Sequence, residues 1–80
     1  MKKYYLDFQQ YGTNTPLASN CNAITFINVG ATDCYINKFL LASGASLSIT
    51  GNENEIDVTT YEMYFTTGIG NLNVIRKFFK

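Results

Sequence analysis

Apolar and polar residues alternate along short segments of the chain, and glycine, serine and asparagine separate these segments. The clearest example is SLSIT at residues 46–50, where Leu47 and Ile49 share one side of an extended chain and the hydroxyl groups share the other. Gly44 and Gly51 flank this segment. A period of two is typical of a strand with one buried face, and no segment has apolar residues at helical spacing over a helical length. The pattern therefore predicts an all-β fold.

The other predicted strands are rich in β-branched and aromatic residues and end at turn-forming residues. They cover approximately residues 3–8, 22–29, 32–39, 56–58, 61–67 and 72–79. Residues 9–20 contain Gly12, the only proline and several Asn and Thr residues, which predicts a loop or an extended arm. Six or seven short strands with regular turn signals predict one domain over residues 1–80, a small antiparallel β-sandwich or barrel.

Basic and acidic residues are separated along the chain. Every basic side chain except Lys38 lies near one of the two ends, and all six acidic side chains lie between these ends. The formal net charge is zero. The chain therefore lacks the long-range positive field of a protein that neutralises a phosphate backbone, and we expect no nucleic acid partner.

The amino-terminal residues do not have the pattern of a secretory signal. Lys2 and Lys3 are positively charged, but residues 4–10 contain Asp7 and two glutamines where a signal needs an apolar core. No apolar run is long enough to span a membrane. We therefore expect no signal peptide and no membrane partner, and a chain that is made and first folds in the cytoplasm.

The two cysteines, Cys21 and Cys34, are too few for a disulfide framework and are not spaced as a CxxC redox pair. A cytoplasmic start disfavours a bond between them. We expect free thiols that are buried or half-buried, with a disulfide as the alternative.

The residue types present argue against catalysis. Histidine is absent, which excludes Ser-His-Asp and Cys-His nucleophile systems and most zinc sites. Residues 52–57 form the densest group of oxygen ligands, but their spacing is not that of an EF-hand. A solvated turn is favoured here over a cation site. We expect no enzyme activity, no catalytic residue, no cofactor and no bound metal.

Tyrosine and phenylalanine make up 15% of the chain, and adjacent aromatic pairs lie at both ends. Neighbours on a strand point to opposite faces, so one buried sheet face cannot cover both members of a pair. A further subunit is the simplest cover, because aromatic residues are enriched at interfaces. The sequence predicts an interface formed by the aromatic pairs and the adjacent basic residues: Tyr4, Tyr5, Arg76, Lys77, Phe78 and Phe79.

The segment ITFINVGATDCYINKFLLASGASLSITGNENEIDVTTYEMYF, residues 24–65, resembles small β-rich accessory proteins encoded among the virion genes of tailed bacteriophages. The resemblance is one of pattern: a strand, an INKF turn, a strand beginning GASL and an Asn/Glu-rich loop follow one another. It covers about half of the chain and carries no functional residue. It implies a non-enzymatic capsid, neck or fibre component that assembles as a symmetric oligomer, located in the virion if the chain is phage-encoded.

Three functions stay open at this stage. The leading hypothesis is a structural assembly protein that forms a homo-oligomer and binds other structural proteins. The alternative is a β module that binds a carbohydrate or a host surface. The third is a small regulatory or nucleic-acid-binding barrel, in which the phenylalanines beside Arg76 and Lys77 would stack on bases.

Overall fold

The computed structural model describes all 80 residues, Met1–Lys80. It contains eight strands and no helix, so no helix is present that is long and apolar enough to cross a membrane. The all-β prediction is confirmed, with more strands than the six or seven expected. The strands are β1 (Tyr4–Thr13), β2 (Pro16–Ala18), β3 (Ala23–Asn28), β4 (Cys34–Ile36), β5 (Phe39–Leu41), β6 (Ser46–Ile49), β7 (Thr60–Phe65) and β8 (Ile69–Phe79).

The strands form two four-stranded antiparallel sheets. The first sheet has the order β1-β8-β3-β6, and the second has the order β2-β7-β4-β5. Strands β1 and β8 are much the longest, and they pair from Tyr4 opposite Phe79 to Thr13 opposite Ile69. Because this strand pair is long, the molecule measures 44 × 19 × 16 Å along its principal axes.

The hydrophobic core lies between the two sheets and follows the alternation of the sequence. Phe26 of the first sheet and Tyr61 of the second meet edge to face, with ring centroids 5.1 Å apart. Leu47 and Ile49 pack against the core, as their alternation predicts. The core residues of the two sheets and their connections are Leu17, Cys21, Ile24, Phe26, Cys34, Ile36, Leu41, Tyr61, Met63, Phe65, Leu72 and Val74.

The prediction of a loop or arm over residues 9–20 is wrong, because β1 continues to Thr13 and β2 follows at Pro16–Ala18. Tyr11 packs against the core opposite Leu72, which keeps the polar end of β1 in the sheet. Pro16 is tolerated because β2 is an edge strand, where a missing backbone donor breaks no pairing on the open side.

The prediction of one strand over residues 32–39 is also wrong. The chain reverses at Asn37 and Lys38, so that β4 and β5 form a hairpin with Ile36 opposite Phe39. Both turn residues have positive φ, 49° and 70°, as a two-residue hairpin turn with the twist of the strands requires. The Asn37 side chain fixes the turn against β7 by accepting a hydrogen bond from the Glu62 amide at 2.6 Å.

The region predicted as a strand at residues 56–58 contributes one isolated bridge, between Asp57 and Cys21. The prediction of free, buried thiols is confirmed for Cys21 and Cys34, both of which are fully buried and unbonded. Burial raises the pKa of each thiol, and the nearby Asp57 charge raises that of Cys21 further. Both cysteines therefore stay protonated and act as small apolar core residues.

Candidate interaction surface

The Tyr4–Phe79 end of the β1–β8 strand pair brings together both aromatic pairs identified in the sequence. Tyr4 lies opposite Phe79, and Tyr5 lies opposite Phe78. We call the outward-facing residues of this end the terminal surface; it consists of Tyr4, Leu6, Phe8, Ile75, Lys77 and Phe79. Tyr5 and Phe78 lie on the opposite, core-facing side of the same two strands.

The terminal surface is apolar and open to solvent. Tyr4 is 54% exposed and Phe8 is 67% exposed. Leu6, which lies between these two residues along β1, is 43% exposed. The Lys77 ammonium lies 4.2 Å from the centroid of the Tyr4 ring and 5.0 Å from that of the Phe79 ring. This position places a positive charge over two aromatic faces, so the patch is aromatic with a cationic margin.

The core-facing side holds the second aromatic pair. The Tyr5 and Phe78 rings are stacked, with centroids 5.0 Å apart and planes at 14°. Phe78 packs against the core, whereas Tyr5 stays 50% exposed at the edge of the sheet. One member of this pair is therefore structural, and the other is available for contact.

Arg76 is bound within the chain. Its guanidinium donates two hydrogen bonds to Oδ2 of Asp7, at 2.8 and 3.0 Å, and another to the Ser19 carbonyl at 3.0 Å. The hydrogen bond from Arg76 holds the pKa of the Asp7 carboxyl below its usual range. Arg76 thus connects β8 to β1 and to the segment after β2, and lies behind the exposed aromatic residues.

The β1 strand has an unpaired backbone edge. The Lys80 amide donates to the Lys3 carbonyl at 2.8 Å, which shows that the backbone groups of Lys3 face β8. Successive residues of an antiparallel strand alternate in direction. The N–H and C=O groups of Tyr4, Leu6 and Phe8 therefore point away from β8, toward solvent. An edge of this length is a template for a further strand.

The acidic loop at residues 52–57 is organised around a buried asparagine. The Asn22 side-chain amide donates to three loop carbonyls, those of Asn52 (3.1 Å), Glu53 (3.3 Å) and Glu55 (2.8 Å). Its oxygen accepts from the Phe79 amide at 2.9 Å. The three loop carbonyls converge on the Asn22 nitrogen, which occupies the position where a cation could otherwise bind. No group of three or more His, Cys, Asp or Glu side chains is arranged to hold a metal.

A second polar cluster surrounds Asp57, beside β2 and β7 of the second sheet. The Tyr61 hydroxyl and the Thr59 amide both donate to its carboxylate, and the Ser19 hydroxyl donates to its carbonyl. Burial raises the pKa of Asp57, but the hydrogen bonds from Tyr61 and Thr59 outweigh burial and lower it. Burial and the Asp57 carboxylate raise the pKa of Tyr61 to about 12. The phenol is therefore held protonated, which suits a structural hydrogen bond.

The structure brings five of the six predicted interface residues to the Tyr4–Phe79 end of the β1–β8 pair, and it gives the sixth, Arg76, an intramolecular role. Sequence reasoning did not identify Leu6, Phe8 or Ile75, whose alternation with Tyr4 along β1 and opposite β8 is the signal that would have found them. It also missed Asn22, because its burial depends on a loop that is distant in sequence.

Comparisons with protein families, with curated proteins and with solved structures each gave no match.

Proposed function

We propose that the protein is a non-enzymatic structural subunit, a small β-sandwich that assembles with copies of itself and with other structural proteins. The contact is formed by the Tyr4–Phe79 end of the β1–β8 strand pair. The observation that carries the proposal is the terminal surface, where Tyr4, Leu6 and Phe8 are exposed side by side. Contiguous exposed apolar residues of this kind mark interaction sites more often than isolated ones do.

The size of the chain supports the same proposal. A domain of this length buries roughly 60% of the surface of its unfolded chain, so contact with a partner adds substantially to its stability. The core cluster of 12 residues does not include the Tyr4–Phe79 end of the β1–β8 pair, where only Phe78 packs against it. Covering the terminal surface would bury the aromatic rings that the core does not reach.

Sedimentation equilibrium at micromolar concentration tests the assembly proposal. We expect a mass above that of the monomer for the wild type and a lower mass for Tyr4→Ser and for Phe79→Ser. The control is Ile69→Ser, which removes an exposed apolar side chain, 70% accessible, at the other end of β8. That end lies roughly 34 Å from Phe79 along the strand. A wild type that stays monomeric and binds no partner protein would contradict the proposal.

The virion is the proposed location, in a capsid, neck or fibre, and this rests on the resemblance of residues 24–65 to phage accessory proteins. Antibody detection of the chain in purified particles from its source would test it. A chain found only outside the particles would remove the virion assignment and leave the assembly proposal in place.

A carbohydrate-binding or host-surface-binding module is the second candidate. It is favoured by a shallow depression on the outer face of the first sheet, where Phe8 adjoins Gln10 and Asn73. The Gln10 amide donates to the Asn73 oxygen at 3.1 Å, which leaves further amide groups for sugar hydroxyls beside an aromatic ring. A glycan array with the wild type and with Phe8→Ala distinguishes this function from assembly, since only a sugar-binding module would give Phe8-dependent signals.

A further inference from the structure

We infer that the β1 edge pairs with the β1 edge of a second copy, antiparallel and about a two-fold axis at Tyr5, so that two first sheets become one continuous sheet. The inference deepens the assembly function proposed above and rests on it. Two features of the chain support this pairing: the direction of the outward backbone groups of β1 and the positions of Lys3 and Asp7 on either side of Tyr5.

The outer backbone edge of β1 is open to strand pairing. The N–H and C=O groups of Tyr4, Leu6 and Phe8 point to solvent, and β1 carries them in regular extended conformation with no partner on that side. With an antiparallel copy in this register, the groups of Tyr4 and Leu6 pair with each other across the two copies, and those of Phe8 face Lys2 directly before the partner strand. A second β1 strand is a suitable neighbour because a two-fold axis presents the same row of groups from both copies.

The charges around the start of β1 are self-complementary about Tyr5. Lys3, directly before the strand, lies two residues before Tyr5, and Asp7 lies two residues after it. In an antiparallel pair with Tyr5 opposite Tyr5, the Lys3 side chain of each copy lies opposite Asp7 of the other. Opposite charges in directly facing positions stabilise a strand pair. Asp7 keeps its bond to Arg76 and gains a second cation.

Neighbouring registers satisfy the charges less well. A two-fold axis at Leu6 places Tyr5 opposite Asp7 and leaves Lys3 without a charged partner. A two-fold axis at Asp7 places the two carboxylates directly opposite each other, which is destabilising. The register at Tyr5 is the one that uses both charges.

The aromatic residues fit the same register. The two Tyr5 rings meet at the axis, and each is already stacked on its own Phe78 at 5.0 Å. Four rings then form one row across the junction. On the outer face, Leu6 of each copy lies opposite Tyr4 of the other, which extends the terminal surface across both copies. These are the exposed apolar side chains that the monomer leaves uncovered.

Hydrogen exchange measured residue by residue, at low and at high protein concentration, tests the edge pairing. The Leu6 and Phe8 amides point to solvent in the monomer, so we expect their exchange to slow in the dimer by at least tenfold. The Asp7 and Gln9 amides face β8 and act as internal references. A dimer in which Leu6 and Phe8 exchange as in the monomer overturns the inference and leaves the assembly proposal standing. A monomer with no partner at any concentration overturns both.

Two proline substitutions test independently whether the β1 edge forms the dimer contact. Leu6→Pro removes an outward donor that pairs with nothing in the monomer, and we expect dimerisation to weaken more than tenfold. Ser46→Pro is the matched control, because the bond from the Asn28 amide to the Ala45 carbonyl at 2.9 Å places the Ser46 amide on the open side of β6. Equal effects of the two prolines would count against β1. If Leu6→Pro fails to fold, Lys3→Glu decides. It sets one glutamate opposite each of the two Asp7 side chains of the dimer, and we expect association to weaken about tenfold.

A disulfide tests the register. Tyr5→Cys places two thiols opposite each other at a pair with no hydrogen bonds between them, where Cα atoms are close enough for a bond. Mild oxidation should link this variant as a dimer faster than it links Leu6→Cys. The native Cys21 and Cys34 thiols are fully buried and do not compete. Faster linking of Leu6→Cys would reject the axis at Tyr5.

Discussion

The ring of Phe26 in the first sheet meets the ring of Tyr61 in the second at 5.1 Å and 62°, an edge-to-face contact across the core. Phe26 is fully buried and lies opposite Leu47 in β6 and Val74 in β8. Its ring therefore connects three strands of one sheet to the other sheet.

We expect Phe26→Ala to lower the free energy of unfolding by about 3–5 kcal/mol, since it removes a large buried ring and leaves a cavity. Denaturant unfolding followed by circular dichroism measures the change. The control is Val58→Ala at a position 75% exposed, where we expect a change within about 0.5 kcal/mol. Similar losses in the two variants would show that the sheets do not pack through Phe26.

The contact between Gly70 and Phe65 predicts a steric effect. A Cβ atom at Gly70 would overlap Cδ1 of the Phe65 ring, which is fully buried. We expect Gly70→Ala to destabilise the protein by about 1–3 kcal/mol through overpacking. Gly12→Ala is the matched control in the same strand pair. Its nearest contact, the Gly70 carbonyl at 3.4 Å, is an ordinary one. Thermal unfolding of both variants distinguishes overpacking from a general loss of glycine.

Asn22 predicts a local effect on the acidic loop. Replacing it by alanine removes four hydrogen bonds at once, three to loop carbonyls and one from the Phe79 amide. We expect Asn22→Ala to cost about 2 kcal/mol, because part of the loss is recovered when water reaches the carbonyls. Limited proteolysis should cut the loop faster in this variant. Unchanged cleavage would mean that Asn22 does not hold the loop.

The Tyr61 phenol predicts a loss of stability at alkaline pH. Its pKa is raised from 10.0 to about 12, so the folded protein keeps a proton that the unfolded chain releases between these values. This contribution to stability is fully present below about pH 10 and is lost as the pH rises to about 12. Tyr61→Phe should make stability less dependent on pH in this window. The phenolate absorbance of wild type minus variant should rise near pH 12, and a midpoint near 10 would contradict the buried contact.

The Asp7 carboxyl predicts the opposite dependence at acid pH. Its pKa is lowered by the hydrogen bond from Arg76, so its contribution is present above the unfolded value and is lost as the pH falls through the folded value. Asp7→Asn should flatten the acid side of the stability profile. Glu62→Gln is the control, an exposed carboxylate whose side chain makes no hydrogen bond in the structure. Equal flattening in both variants would show that Arg76 gives Asp7 no special role.

The strands that the sequence predicts well are those in which one face is buried. In β3 and β7 every second residue faces the core, and this alternation is visible in the residue types themselves. The hairpin at Asn37 and Lys38 was not visible, because its turn lacks the glycine that normally accompanies two positive φ angles. The strand at Pro16 was missed because its pairing with β7 is decided by the second sheet rather than by local composition.

The candidate surface was predictable in its aromatic members but not in its backbone. Adjacent aromatic residues at both ends indicate that one face must stay uncovered, and the pairing of Tyr4 with Phe79 brings the two ends together. Which amides of β1 point outward depends on the registration with β8, and no local pattern encodes it. The intramolecular role of Arg76 likewise depends on Asp7 being brought opposite it by that pairing.

The pairing of β1 with β8 also has a consequence for synthesis on the ribosome. β1 is made before its partner β8, with six strands between them, and β3 likewise waits for β8 to fill the middle of the first sheet. The first sheet therefore closes only after β8 has left the exit tunnel. Such long-range pairing slows folding. During that interval both edges of β1 and its aromatic side chains are open to contacts with other chains.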